Sequence, residues 1–307
     1  MDPKNRAWLL IAIVAAVCCG SVGGIVWYRS RPIGTAQLLK RLPTRDALIV
    51  YVDFADLRRG GILQPLDSAK IEEDPDYQSF ARKIDFDWKQ DLDSLLVASV
   101  SSGNFLFARG RFDWKSLRAY TTSVGGDCRN SLCRTVGSAP ERRISFFPVQ
   151  SRLMALAVSP DQSAVLELQT TKSGATPEVP QAPVWISIPS SVLKSSANLP
   201  AGTRMFARSV EQAESVLLTF GPDGDRIAAR LEVRCRDERD AVDVAGQLAS
   251  ATLTLQRMLD REHQKPGPAD LAGVLAAGAF RSEGRRVFGY WPIERAFVES
   301  ILSGGLS

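Results

Sequence analysis

Four aspartates cluster in the stretch DFDWKQDLD, where closely spaced carboxylates could hold a calcium ion. They are Asp85, Asp87, Asp91 and Asp93. A calcium loop of the EF-hand type needs oxygen ligands at its first, third and fifth positions and a glycine at its sixth. Here Lys89 and Gln90 occupy the fifth and sixth positions. The spacing therefore predicts a solvated acidic loop whose aspartates cap helices.

Ser191 and Lys194 form an S-x-x-K pair, a spacing at which a desolvated lysine can activate a serine nucleophile. Serine penicillin-binding enzymes combine this pair with S-x-N and K-S-G motifs. Such fragments occur at residues 196–198 and 172–174, but K-S-G comes before the other two motifs and S-x-N follows almost at once. Because that order does not fit such an active site, we expect no acyl-serine chemistry.

The single histidine, His263, stands beside the polar stretch QKPGPAD and is predicted to lie on the surface. One histidine excludes a histidine-rich metal site and leaves Ser-His or Cys-His catalysis dependent on a loop residue. The G-x-S-x-G, P-loop, G-x-G-x-x-G and H-E-x-x-H motifs are absent from the sequence. We therefore expect no enzyme activity, no metal and no cofactor, with a hydrolase of unrecognised catalytic residues as the alternative.

An uncharged apolar run covers residues 7–28, and as a helix it would be roughly 33 Å long. That length is enough to cross a hydrocarbon core of about 30 Å, so the run predicts a transmembrane helix in contact with the lipid bilayer. Trp8, Trp27 and Tyr28 stand at its ends, as in an interfacial aromatic belt. A cleaved signal peptide is the alternative, although its apolar region is usually about 7–15 residues long.

The orientation of this anchor depends on which of two rules dominates. Counting positive charges alone would place the larger part of the chain in the cytoplasm, because more basic residues follow the span than precede it. Long domains, however, translocate largely regardless of flanking charge. We therefore expect a single-pass protein of the inner membrane whose bulk faces the periplasm.

Small residues recur at every fourth position of the span, which permits close approach of two helices and therefore a homodimer. They are Ala12, Ala16, Gly20 and Gly24. A scatter of small residues in an apolar run explains the same spacing. The formal charge of +4 is concentrated around the span, so residues 32–307 are close to neutral. We expect a protein partner in the envelope and no binding of nucleic acid.

Beyond the span the chain contains Cys128, Cys133 and Cys235. Four residues separate the first two, so a backbone turn would bring their thiols together. We expect a disulfide between Cys128 and Cys133, as in an oxidising compartment, with two reduced thiols as the alternative. Cys235 lies in a strand-like stretch and is predicted to be buried.

The order of apolar runs and turn signals predicts an α+β fold built from a duplicated unit, each an antiparallel sheet with helices packed on one face. The predicted divisions are residues 1–31, the tail and anchor; 32–169, the first unit; 170–183, a polar linker; and 184–307, the second unit. Segments 47–58, 95–123 and 143–168 are expected to correspond to 184–194, 216–250 and 278–302.

Helix boundaries carry the clearest local signals. Asp113 and Asp237 stand where an N-cap is expected, and Asp74 precedes a proline at the first helical position. The helix after Asp237 is predicted to be the longest, because apolar residues recur there with alternating steps of four and three.

The segments GRFDWKSLRAY and VYVDFADLRR are distinctive, and the former contains Asp113, Trp114, Lys115 and Arg118. They resemble segments of uncharacterised single-pass membrane-anchored bacterial envelope proteins, and the likeness covers mainly residues 43–160. The resemblance implies a shared fold and an envelope location, and no activity. We therefore predict a membrane-anchored extracytoplasmic protein that acts by binding or scaffolding.

Overall fold

The computed structural model describes residues 32–63, 75–137, 142–171, 178–194, 201–224, 226–261 and 270–302. The predicted membrane span, with its interfacial aromatic and small residues, lies outside these ranges, as do Asp74, His263 and residues 172–177 of the linker. No helix within the described ranges combines the length and apolar character needed to cross a bilayer.

The described residues form twelve strands: β1 (Leu48–Asp53), β2 (Leu92–Val100), β3 (Gly103–Gly110), β4 (Asp127–Arg129), β5 (Leu132–Val136), β6 (Arg143–Gln150), β7 (Leu153–Ser159), β8 (Val184–Pro189), β9 (Ser215–Asp223), β10 (Arg226–Arg234), β11 (Ala279–Glu283) and β12 (Arg286–Ile293).

The helices in the same ranges are α1 (Thr35–Leu39), α2 (Phe54–Arg59), α3 (Pro75–Ile84), α4 (Trp88–Asp91), α5 (Trp114–Ser123), the 3₁₀ helix η1 (Ala164–Gln169), α6 (Ser190–Leu193), α7 (Ala201–Ser209), α8 (Glu238–Arg261), α9 (Leu271–Ala276) and α10 (Arg295–Leu302).

All twelve strands belong to one antiparallel sheet, in the order β11-β12-β10-β9-β8-β1-β2-β3-β7-β6-β5-β4. The α+β class is therefore as predicted. The prediction of one sheet for each half is wrong, because β1 pairs with β8 and joins the halves edge to edge. We call this pair the seam. If β1 and β8 were left as unpaired edge strands, each would expose a row of backbone hydrogen-bond donors and acceptors. Pairing at the seam gives these groups of both strands their partners.

Outward from the seam, the strand order is the same in both halves. The first half runs β1-β2-β3-β7-β6 and the second runs β8-β9-β10-β12-β11, so the strands of segments 47–58, 95–123 and 143–168 occupy the same places as those of their expected counterparts. Because β1 and β8 are antiparallel, a half-turn about an axis normal to the sheet superimposes these two orders. The β4-β5 hairpin is an addition at the outer edge of the first half.

Strand registers divide the side chains between two faces. Val50, Val97, Leu106, Ile186 and Leu218 share one face, which we call the front face. The residues directly before and after each of them in the sequence point to the opposite, back face. The front face of the second half is covered by α8, whose Leu248 and five other buried residues share a core with β9, β10 and β12. The front face of the outer first half is covered by α3 and α5 through Ile84 and Leu117.

The prediction that helices pack on one face holds for neither the whole sheet nor the first half. On the back face, Leu39 of α1 and Val165 of η1 belong to the same buried core as Phe107. In the second half, by contrast, α10 follows β12 and places Phe297 in the front core. The back face there is polar, with Arg230, Glu232 and Tyr290 exposed or half-buried. The two halves therefore share strand order but differ in what covers the sheet.

The predicted caps within the described residues are confirmed. Asp113 Oδ1 accepts hydrogen bonds from the backbone N–H groups of Lys115 and Ser116 at 2.9 and 3.2 Å. Asp237 Oδ1 accepts from Asp240 N–H at 2.8 Å, at the start of α8. Each side chain satisfies backbone donors that the first helical turn leaves without a partner. Helix α8 is the longest described helix, as predicted.

A candidate apolar binding site at the seam

The front face at the seam has an apolar floor that the described helices leave partly open. Val50 lies opposite both Val97 and Ile186, and Val97 lies opposite Leu106. All four side chains are only half-buried. They occupy the strip of sheet between the α3–α5 pair and the α6–α8 group. This strip is continuous because alternate residues of neighbouring strands point to the same face.

A cavity of about 370 Å³ opens on the second-half side of this floor. All twelve residues that line it are apolar, and they come from the start of β1, the end of β8, helices α6 to α8 and strands β9, β10 and β12. They are Leu48, Ile188, Val192, Leu193, Phe206, Ala207, Val210, Val216, Leu218, Leu231, Leu248 and Trp291. The volume falls within the range typical of small-molecule pockets.

The walls of this cavity are set by rigid parts of the core. Trp291 is 7% exposed and contacts Phe206 and Phe280 edge-on, with ring centroids 6.3 and 5.2 Å apart. A Cβ atom at Gly278 would lie 2.6 Å from the Trp291 indole nitrogen, so glycine at that position leaves room for the ring. Leu248 of α8 is 1% exposed. These fixed side chains hold the cavity open, since close-packed surroundings cannot relax into it freely.

Of the motifs considered for serine chemistry, the structure describes only the S-x-x-K pair, and residues 172–174 and 196–198 lie outside the described ranges. Ser191 and Lys194 lie on and just after α6, and both side chains are exposed. Their neighbours Val192 and Leu193 point into the apolar cavity instead.

The prediction of capping holds for one residue of the aspartate cluster, Asp87, whereas Asp91 and Asp93 form ion pairs instead. Asp87 Oδ1 accepts a hydrogen bond from Lys89 N–H at 2.9 Å and caps α4. Asp91 forms an ion pair with Arg111 at 2.8 Å, and Asp93 forms an ion pair with Nη2 of Arg152 at 2.9 Å. No group of three potential ligands suited to a metal ion occurs among the described residues.

Four groups with shifted pKa values lie away from the cavity. Burial raises the pKa of the Tyr51 hydroxyl and of the Cys235 thiol. The hydrogen bond donated to Asp223 raises the pKa of the Tyr290 hydroxyl. Hydrogen bonds from Ser116 lower the pKa of the Asp113 carboxyl. None of the four lines the apolar cavity, so these shifts reflect burial, a polar contact and a helix cap.

Cys128 and Cys133 are at disulfide-bonding distance, with their sulfur atoms 2.03 Å apart. They face each other directly across β4 and β5. Asn130 and Ser131 turn the chain between them with positive φ values of 49° and 70°, the backbone shape of a tight hairpin turn. Cys235 is free and 1% exposed, as predicted.

Sequence reasoning missed the seam cavity, although one signal for it was available. The runs DALIVYVDF and VWISIP are apolar at nearly every position, which is typical of strands that pack on both faces. That pattern predicts burial and does not identify the partner strand. Helix α7, which supplies Phe206 and Ala207 to the cavity, was not predicted at all.

Comparison with known proteins leaves the family of this chain open. Neither a protein-family model nor a curated protein matches the sequence. Among solved structures, crystal form I of TP0453 is similar with a TM-score of 0.48 and 13% identity, covering 89% of this chain and all of that one. Crystal form III gives a TM-score of 0.48 at 10% identity, covering 87% of this chain and 97% of that one. The resemblance to envelope proteins stays a prediction.

Proposed function

We propose that this chain is a membrane-anchored envelope protein that binds an apolar ligand in the cavity at the seam. The observation that carries the proposal is the cavity of about 370 Å³ whose twelve lining residues are all apolar. A lining without charged groups favours an uncharged apolar body, such as one acyl chain or a small aromatic compound, because burying an unpaired charge there is costly.

The energetics favour binding at this position. Apolar surface contributes about 25 cal/mol for each Å² removed from water, so filling a half-open apolar cavity stabilises the complex. The lining helices and strands are packed in the second-half core, so little ordering cost opposes binding. The exposed positions of Ser191 and Lys194 support binding over hydrolysis at this cavity.

A cavity-filling substitution tests the proposal. We expect the full chain in detergent micelles to bind a brominated fatty acid methyl ester, which quenches the fluorescence of Trp291 at the cavity wall. Ala207→Phe places a ring in the cavity and is expected to weaken quenching about tenfold or more, the equivalent of about 1.4 kcal/mol. The measurement is a titration of tryptophan fluorescence in a chain whose Trp8 and Trp27 are replaced by Phe, because the ester in the micelle would quench those residues of the predicted span directly.

The matched control is Ala249→Phe, which adds the same ring to an exposed position of α8. We expect its quenching curve to equal that of the unsubstituted chain. Trp291→Phe removes the reporting fluorophore at the site and is expected to remove most of the quenching. Equal loss in Ala207→Phe and Ala249→Phe, or full quenching in Trp291→Phe, would contradict binding at the seam.

The envelope location rests on the apolar run at residues 7–28 and is supported by the cysteine pair, since disulfides persist in oxidising compartments. We expect a periplasm-active reporter fused after Ser307 to be active and a cytoplasm-active reporter in the same place to be silent. The reverse activities would place the domain in the cytoplasm. N-terminal sequencing of the mature chain distinguishes an uncleaved anchor from a cleaved signal peptide.

We also infer that residues 32–169 and 184–307 are copies of one unit. The shared strand order outward from the seam supports this, together with the matching places of the two long hairpins. A cavity at the seam is then a consequence of joining two such units. Ligand binding there, or scaffolding of an envelope partner, belongs to the joined chain and not to either copy.

A further inference from the structure

Three arginines converge at the outer end of the second half, far from the seam in strand order. Arg234 ends β10, and Arg285 and Arg286 lie in the turn and first position of the β11-β12 hairpin. With Glu283 and Phe288 they line a solvent-open depression of about 560 Å³, which we call the arginine notch.

The strand register places two like charges side by side in this notch. Arg234 lies directly opposite Arg286 in the β10-β12 pairing. Like charges in directly opposite cross-strand positions destabilise a sheet. Arg286 is paired with Glu232 at 3.1 Å, whereas among the described residues Arg234 has no carboxylate partner. The arrangement therefore leaves repulsion that a bound anion would relieve.

The carboxylate that lines the notch is already engaged. Glu283 pairs with Arg281 at 3.0 Å, and the Arg281 guanidinium lies 4.8 Å from the centre of the Phe288 ring. The lining of the notch itself contains three arginines and one glutamate, a formal excess of two positive charges. A dianion matches this excess.

The exposed Arg285 guanidinium has a hydrogen-bond partner within the protein. Its Nη1 donates a hydrogen bond to the Arg236 carbonyl at 3.3 Å, and its own carbonyl accepts from Cys235 N–H at 2.9 Å. Guanidinium groups bind phosphate oxygens through paired hydrogen bonds.

We propose that the arginine notch binds a phosphate group, carried either by a soluble phosphate compound or by a phospholipid headgroup. Arg234 and Arg286 supply donors from opposite positions on neighbouring strands, Arg285 supplies donors from the adjacent turn, and Phe288 forms the apolar side of the notch. The site is separate from the seam cavity, and its failure would leave the apolar-ligand proposal untouched.

Isothermal titration calorimetry on the full chain in detergent micelles tests the notch, with sodium phosphate, dihexanoyl phosphatidic acid and dihexanoyl phosphatidylcholine as probes. We expect phosphate binding that weakens about tenfold or more in Arg234→Gln, as for loss of a charged hydrogen bond. Tighter binding of the phosphatidic acid than of phosphate would identify the source as a lipid headgroup, and equal binding would identify it as a soluble phosphate. The zwitterionic lipid is expected to bind more weakly than phosphatidic acid.

Arg257→Gln is the matched control, because Arg257 is an exposed arginine of α8 that does not line the notch. We expect its phosphate affinity to equal that of the unsubstituted chain.

Thermal unfolding adds a second readout. Without phosphate, Arg234→Gln is expected to unfold at a higher temperature than the unsubstituted chain, because the repulsion between Arg234 and Arg286 is gone. It is also expected to lose the rise in unfolding temperature that phosphate produces in the unsubstituted chain. Equal loss of affinity in both variants, or no binding at millimolar phosphate, would overturn the proposal.

Discussion

Trp185→Ala is expected to lower the free energy of unfolding by about 3–5 kcal/mol, the usual cost of truncating a buried tryptophan. Trp185 is 2% exposed and lies opposite Tyr51 across the seam. The two rings stack with centroids 5.5 Å apart. Because this pair joins strands of the two halves, its loss weakens the contact that makes one sheet of them. Urea denaturation of the full chain in detergent micelles measures the change.

Trp185→Phe is the conservative variant for this experiment. It keeps an aromatic ring against Tyr51 and removes an indole N–H that has no acceptor among the described residues. We expect it to cost about 1 kcal/mol or less, since no hydrogen bond is lost and only part of the ring volume is removed. Equal destabilisation by Ala and Phe would show that ring packing at the seam is not what Trp185 contributes.

Cys133→Ser is expected to lower the free energy of unfolding by about 3–5 kcal/mol through two additive effects. Loss of the bond to Cys128 removes a constraint on the unfolded chain, which for so short a loop contributes about 2 kcal/mol. The serine hydroxyl would also be buried in the core with Leu117 and Phe146, at a cost of about 1–3 kcal/mol. Chemical denaturation under non-reducing conditions measures the sum.

Cys128→Ser separates these two effects, because Cys128 is only half-buried. It breaks the same bond and leaves the Cys133 thiol in the core as a small apolar group. We expect it to cost about 2 kcal/mol, and a reductant should lower the stability of the unsubstituted chain by a similar amount. If reduction leaves the stability unchanged, or if both serine variants match the original protein, the disulfide makes no contribution to the fold.

Much of the architecture could be predicted from local patterns. The hairpins β2-β3 and β9-β10, the caps at Asp113 and Asp237 and the long helix α8 follow from turn residues, capping residues and periodic apolar positions. These features depend on residues close together in the chain, so the sequence contains what is needed to predict them. The disulfide pair belongs to the same class, because only a short turn separates its cysteines.

The coverage of the sheet could not be predicted in the same way. Alternation along a strand shows that a face is apolar, but it does not show which segment covers that face. On the back face of the first half the cover comes from α1 and η1, whereas α10, at the corresponding place in the second half, joins the front core instead. The expectation of helices on one face failed because it treated the two halves as identical.

The sequence by itself determined the order of the ten strands that the two halves share, the capped helices, the short disulfide loop and the absence of familiar catalytic motifs. Only the tertiary structure decided that β1 pairs with β8, that one sheet runs through both halves and that an apolar cavity opens beside their junction. The physical reason is that strand pairing is a contact between distant segments, whose partner is selected by competition among all available edges. Leu48 and Ile188 come to line one cavity only after that selection is made.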